Sequence, residues 1–310
     1  MFTGILLKTL STLAFTAMAL GVRAAAQTLS VAEIVFFRSS IALVVLFVWL
    51  AASGALSGAL ATKRPLGHLG RGLSGVAGMF SNFTALALLP LADATAYFYA
   101  YPIFVTVIAG VFLRESVHVS RWLAVLIGFC GLMAMLSEHL GFAGGFDDKA
   151  RLGAGVALFG ALCAALSIVQ TRRLAQVETT AAIVFYFTCL CVLFAGLVLG
   201  LAQVVPALAG QAWTAPDGTA WIGLIVAGAA GGVAQILATS SYRFADASLL
   251  AAFDYLAMVW ALLASLAVDG QVPSIPVLVG AAAITGAGLL ALSERRFQNR
   301  QKFVIPNETV

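Results

Sequence analysis

The chain has 310 residues, 62% of them hydrophobic and only 10% charged, with a mean hydropathy of +1.02. A soluble domain carries roughly 25% charged residues, so this surface is not built for water and its solvent is mostly lipid. The formal net charge of +4 does not point to nucleic acid, because the basic residues sit in short loops and at the tail and form no basic face.

A spanning helix needs about 20 mostly apolar residues. The first such segment covers residues 1–22. Lys8, an apolar run and Ala24-Ala25-Ala26 give it the look of a cleavable leader. It is read as a span instead, because a matching segment recurs in mid-chain. The second span, residues 31–51, carries Glu33 and Arg38. A polar loop with Lys63, Arg64, His68 and Arg71 leads to the third, residues 72–89, in which Gly72, Gly75 and Gly78 mark one face for close helix approach. The fourth runs over 93–113 and the fifth over 122–137.

Residues 139–151 are the least hydrophobic stretch of the middle and read as a linker. Five more spans follow, at 152–171, 181–201, 221–242, 247–268 and 275–292, and then a basic tail, 294–310.

The two halves repeat one another. Ala92-Asp93-Ala94-Thr95 matches Ala245-Asp246-Ala247-Ser248, and the register carries Tyr101 onto Asp254 and Asn82 onto Gln235. Arg23 matches Arg172, and Arg38 falls on Phe187. The expected architecture is therefore an all-α integral membrane protein with ten transmembrane helices, as two five-helix repeats (1–138 and 152–293). Five is odd, so the second repeat enters from the opposite side and the repeats are inverted. Inverted repeats are the mark of secondary transporters, which bind substrate near the midplane between the halves.

With the N-terminus inside, 13 of the 17 Lys and Arg residues face the cytoplasm, Lys8 and Arg71 among them. The positive-inside bias thus places both termini in the cytoplasm.

No catalytic constellation, metal-ligand spacing or phosphate-cradling motif is present, so neither an enzyme nor a cofactor is expected. The four cysteines lie in apolar runs and read as small buried hydrophobes. Asp93 and Asp246 each stand where a span begins, where Asp is a favoured N-cap, and capping is preferred to proton carriage. Gly128 and Gly131 suit tight packing, with a homodimer contact as one use.

Intramembrane charges are expensive and commonly mark substrate or proton paths. Asp254 is the strongest candidate, to hold a cationic substrate group or carry a coupled proton. Tyr101 should meet it near the midplane, together with Asn82 and Gln235. Tyr97 shares the face of Tyr101 and is placed to stack on a flat ligand or to pack between helices. Arg38, roughly 10 Å along its helix, either binds an anionic substrate group or anchors its helix to carbonyls and polar side chains.

Phe37-Arg38, the Ala-Asp-Ala-Thr start of the fourth span, Pro102, Glu115 and Gly128/Gly131 together resemble the drug/metabolite transporter superfamily of the EamA type. The resemblance covers nearly the whole chain. Ala252-Phe253-Asp254-Tyr255 is similar to a branch with S-adenosylmethionine and riboflavin uptake carriers, although that branch often has Pro where this chain has Ala252. The resemblance implies alternating access in a bacterial inner membrane, with import or export of a small-molecule metabolite. It adds Tyr255 to the substrate-binding candidates. It also puts Glu115 at the cytoplasmic end of the fourth span, as a gating residue.

Overall fold

The structure is a computed structural model. It describes residues 1–55, 58–88, 97–113, 119–136 and 148–257, with short helical pieces between 259 and 287. Glu115, Asp93, most of the tenth span and the tail lie outside the described residues.

Every described element is helical. In chain order they are α1 (Phe2–Ala25), α2 (Val31–Ala52), α3 (Pro65–Leu88), α4 (Tyr101–Phe112), α5 (Val119–Leu136), α6 (Asp148–Leu174), α7 (Thr180–Leu201), a short 3-10 turn (Pro206–Gln211), α8 (Gly218–Phe244) and α9 (Ala247–Asp254). Among the described residues five helices are long and apolar enough to cross a membrane: α1, α2, residues Arg151–Leu174 of α6, α7 and α8.

The helix starts are set by local chemistry. Ser30 accepts the Glu33 amide, and Glu33 in return accepts the Ser30 amide, so α2 opens on a complete capping box. Thr179 caps α7 by accepting the Ala182 amide and Asp217 caps α8 by accepting the Ala220 amide, each without the reciprocal half of the box.

Packing follows the repeat. α1 lies along α8, α6 lies along α3, and α2 faces α7. Exchanging the halves turns the first pairing into the second and leaves the third unchanged. Gly4 meets Ser241 and Ala245 while Gly21 meets Gly223 and Ala227, so α1 and α8 run antiparallel. α2 and α7, which are repeat equivalents, are antiparallel too: Leu46 and Leu50 cluster with Ala181 and Val184, and Val35 with Cys191 and Ala195. Equivalent helices of opposite direction are what inversion of the repeat requires.

Small residues let the backbones touch. A Cβ on Gly78 would stand 3.0 Å from the Ala164 amide nitrogen, and one on Gly21 only 2.6 Å from the Gly223 carbonyl oxygen. Lipid gives apolar helices no reason to associate, so this close approach carries much of the cohesion.

Each half also grips a loop of the other. Buried Glu33 accepts the Thr214 amide, beyond α7. Glu178, just before α7, accepts the Thr62 hydroxyl at 2.9 Å and the Lys63 amide at 3.1 Å.

Three expectations change. Arg71 was placed in a loop; α3 begins earlier, at Pro65, and buries it. Lys8 was counted among the cytoplasmic surface charges; it is 3% exposed, inside the bundle. Asp246 occupies the N-cap place of α9 but makes no side-chain cap bond. Its carboxylate instead accepts from Arg121 at 3.1 Å and Arg172 at 3.0 Å. The tight packing expected at Gly128 is present, since a Cβ there would lie 2.5 Å from the Tyr255 ring.

Candidate functional site

The fourth and ninth spans, drawn as continuous in the sequence, are both interrupted. Tyr97 and Phe98 are helical, Tyr99 and Ala100 form a turn, and α4 starts afresh at Tyr101. Pro102 suits this break, since it has no N–H to bond back to the Phe98 carbonyl and is tolerated in the first turn of a new helix. α9 ends at Asp254, Tyr255 is a turn residue, and residues 256–257 are helical again. Repeat alignment puts Tyr99-Ala100 on Ala252-Phe253 and Pro102 on Tyr255, so the two breaks lie close to one another in the repeat but not at the same position. No proline accounts for the second break.

The breaks touch. The Tyr255 hydroxyl donates to the Tyr99 carbonyl at 3.4 Å, and the two rings stack 6.4 Å apart at 29°. Carbonyls freed by an interrupted helix need partners, and such breaks are where transporters bind substrates and ions.

Asp254 sits at the edge of its break, inside the bundle. Its Oδ1 lies 2.6 Å from Lys8 Nζ, with side-chain exposures of 9% and 4%. Lys8 also donates to the Tyr242 hydroxyl at 3.1 Å. The Tyr101 phenol is a close electrostatic neighbour of the same carboxylate. Asp254 Oδ2 is buried without a hydrogen-bond partner. The carboxylate is therefore neutralised by one cation but not saturated: one oxygen keeps its capacity to accept.

A second polar centre surrounds Arg38, against α1, α3 and α8. Arg38 donates to Met18 Sδ on α1 at 3.5 Å and to Met79 Sδ on α3 at 2.9 Å. It also comes close to Gly231 of α8. Gly231, Gln235, Thr239 and Tyr242 are spaced three or four residues apart and share one face of α8. That face runs from Arg38 to the Lys8–Asp254 pair over roughly 16 Å, at about 1.5 Å per residue. Gln235 stands on it, half-buried, donating to Thr239 at 3.4 Å.

Thus the fold brings Tyr101 to Asp254, and sets Arg38 and Gln235 on one interior face. Asn82 is half-buried on α3, next to Gly160 of α6. Tyr97 is half-buried just before the first break. Tyr255 is fully buried among Tyr99, Leu132 and Val259, one layer behind the carboxylate. Glu115 lies outside the described residues.

Sequence reasoning missed Lys8, Tyr242, Met18 and Met79. Lys8 was detectable: it stands seven residues into an apolar helix, at a depth where a charge needs a partner. The others carried no signal, since a tyrosine or methionine in a lipid-soluble helix is unremarkable by composition. Among the described residues no group of three His, Cys, Asp or Glu is arranged to hold a metal ion.

A family model described as the EamA-like transporter family matches residues 2–137. The S-adenosylmethionine uptake transporter of Rickettsia felis is 26% identical over 270 residues, covering 87% of this chain and 85% of that protein. The riboflavin transporter of Vibrio cholerae is 32% identical over 247 residues, 79% of this chain and 77% of that one. The pseudopaline exporter CntI of Pseudomonas aeruginosa is 28% identical over 258 residues, covering 83% and 84%. A solved crystal structure shares the fold with a TM-score of 0.80 at 22% identity, over 95% of this chain and 98% of that chain.

Proposed function

The chain belongs to the EamA-like transporter family of the drug/metabolite transporter superfamily, and on that premise we propose that it is a secondary carrier moving a small polar organic metabolite by alternating access. It is a multi-pass membrane protein of the ten-helix class, and its transporter relatives are bacterial. The observation that carries the proposal is the half-satisfied carboxylate of Asp254, paired to Lys8 across two halves of the molecule and set at a helix break. A scaffold has no use for a buried charge that couples one repeat to the other.

In this reading the halves, 1–138 and 152–293, rock against each other about the α2–α7 contact, with both termini in the cytoplasm. Asp254 exchanges its hold on Lys8 for a cationic substrate group or a proton. Tyr101, Tyr97, Asn82, Gln235, Tyr255 and Arg38 shape the path, and Glu115 helps close the cytoplasmic side. The S-adenosylmethionine uptake transporter and the riboflavin transporter among its relatives support a substrate of that kind, and the first supports uptake. The relative that exports pseudopaline supports the second reading, an exporter.

The test is flux into proteoliposomes under an imposed pH gradient, with a metabolite panel as substrates. Asp254→Asn should abolish gradient-driven uptake. If counterflow exchange survives in this variant, the proton role is favoured; if binding is lost as well, the substrate role is. Uptake at the wild-type rate with unchanged pH dependence would overturn both.

A further inference from the structure

Asp246 ties three helices from both halves together at one end of the bundle. Its Oδ2 accepts from Arg121 Nη2 on α5 at 3.1 Å, and its Oδ1 accepts from Arg172 Nη2 on α6 at 3.0 Å. Arg121 Nη1 also donates to the Ser248 hydroxyl, in the first turn of α9, at 2.8 Å. α5 belongs to the first repeat, and α6 and α9 belong to the second. One carboxylate therefore holds an arginine from each half. Capping a helix start would need neither cation.

Two routes connect this clasp to the Lys8–Asp254 pair. α9 starts after Asp246 and ends on Asp254, so the two carboxylates stand at its opposite ends, about 12 Å apart at 1.5 Å per residue. Tyr242 is the second route. Its carbonyl accepts from Arg172 and, at 3.3 Å, from Gln176 Nε2, while its hydroxyl accepts from Lys8 at 3.1 Å. The clasp thus holds its backbone and the buried pair holds its ring. The carboxylates differ in their access to water: the Asp246 side chain is 36% exposed and that of Asp254 only 9%. Water can replace the arginines on Asp246, so this contact breaks at small cost. The buried pair has no such substitute. The far end of the bundle is different. Arg23, the repeat counterpart of Arg172, lies in the last turn of α1 and is exposed.

We propose that Arg121, Asp246 and Arg172 form a gate across the cytoplasmic end of the path, and that this structure holds it shut. This rests on the transport reading above and adds what closes one end. The start of α1, expected in the cytoplasm, packs at the same end, where Gly4 meets Ser241 and Ala245. A cationic group or a proton that takes Asp254 from Lys8 loosens Tyr242 and the last turn of α9. α9 then shifts as a short rod and draws Asp246 away from Arg121, which parts the halves at that end.

The experiment uses the full chain with its four cysteines replaced and one reporter, Gln235→Cys, half-buried on the inner face of α8. A membrane-impermeant maleimide is applied to right-side-out and to inverted vesicles, with no substrate present. Asp246→Asn should raise the labelling rate from the cytoplasmic face roughly fivefold or more, the population shift expected from losing two partly exposed ion pairs. Labelling from the outer face should fall. Asp246→Glu keeps the charge and should stay near the parent rates. Arg121→Gln and Arg172→Gln should act like Asp246→Asn, and they serve if that variant fails to fold. Rates unmoved from either face, or raised from both as a general loosening would give, overturn the gate. Flux of the metabolite panel, measured without the reporter, separates this from the transport reading. Opposite shifts in labelling without flux of any metabolite by the wild type fail the transport reading and leave the gate standing. Wild-type flux with labelling unmoved by the variants fails the gate alone.

Discussion

Lys8 Nζ and Asp254 Oδ1 lie 2.6 Å apart, and this contact joins the first helix of one repeat to the ninth helix in the other. Both side chains are buried, so each charge depends on its partner in place of water. Breaking a buried pair from one side costs about 3–5 kcal/mol, because the survivor is left uncompensated. Lys8→Met should therefore lower the thermal transition sharply. The double variant Lys8→Met/Asp254→Asn should recover most of that loss. Differential scanning fluorimetry in one detergent makes the comparison. A double variant as unstable as Lys8→Met would show that the pair is not the relevant unit.

The α1–α8 interface should be intolerant of a single methyl group. A Cβ on Gly21 would lie 2.6 Å from the Gly223 carbonyl oxygen and 2.7 Å from the Ala227 amide, both backbone atoms that cannot rotate away. Gly21→Ala is expected to cost about 1–3 kcal/mol, the usual range for overpacking. Gly155→Ala on α6 meets nothing within 4 Å. It should be neutral or stabilising by roughly 0.5–1 kcal/mol. Yield and melting temperature of the purified pair measure the contrast, and equal behaviour would refute it.

Orientation is testable with single cysteines in a background lacking the four native ones. A cysteine at Lys63 should react with a membrane-impermeant maleimide only from the cytoplasmic side. One at Asp217 should react only from outside. These positions lie in loops at opposite ends of the second repeat-paired helices, so the reversed pattern would invert the whole assignment.

Much of this was legible in the sequence, for reasons that differ by residue. Span positions follow from hydropathy alone, because lipid leaves no other way to satisfy a backbone. The Ser30 and Glu33 capping box is local, three residues apart, and so could be read without a fold. The Tyr101–Asp254 meeting was reachable because repeat equivalence relates residues 153 positions apart in the chain.

Asp246 shows where local reading stops. Its sequence context is that of an N-cap, and the backbone does start a helix there. Arg121 and Arg172, remote in sequence, compete for the carboxylate and win, since each adds the attraction of a full opposite charge to its hydrogen bond.

The sequence by itself determined the solvent, the helical class, the inverted repeat and the presence of costly charges in the apolar spans. Each of these is a property of composition or of order along one chain. Only the tertiary structure decided what those charges do. It set Lys8 against Asp254, gave Arg38 sulfurs instead of oxygens, left an Arg71 nitrogen unpartnered, and joined two helix breaks through Tyr255 and Tyr99. The reason is geometric. A buried ion's energy is fixed by the few atoms within about 4 Å of it, and those atoms come from helices hundreds of residues apart.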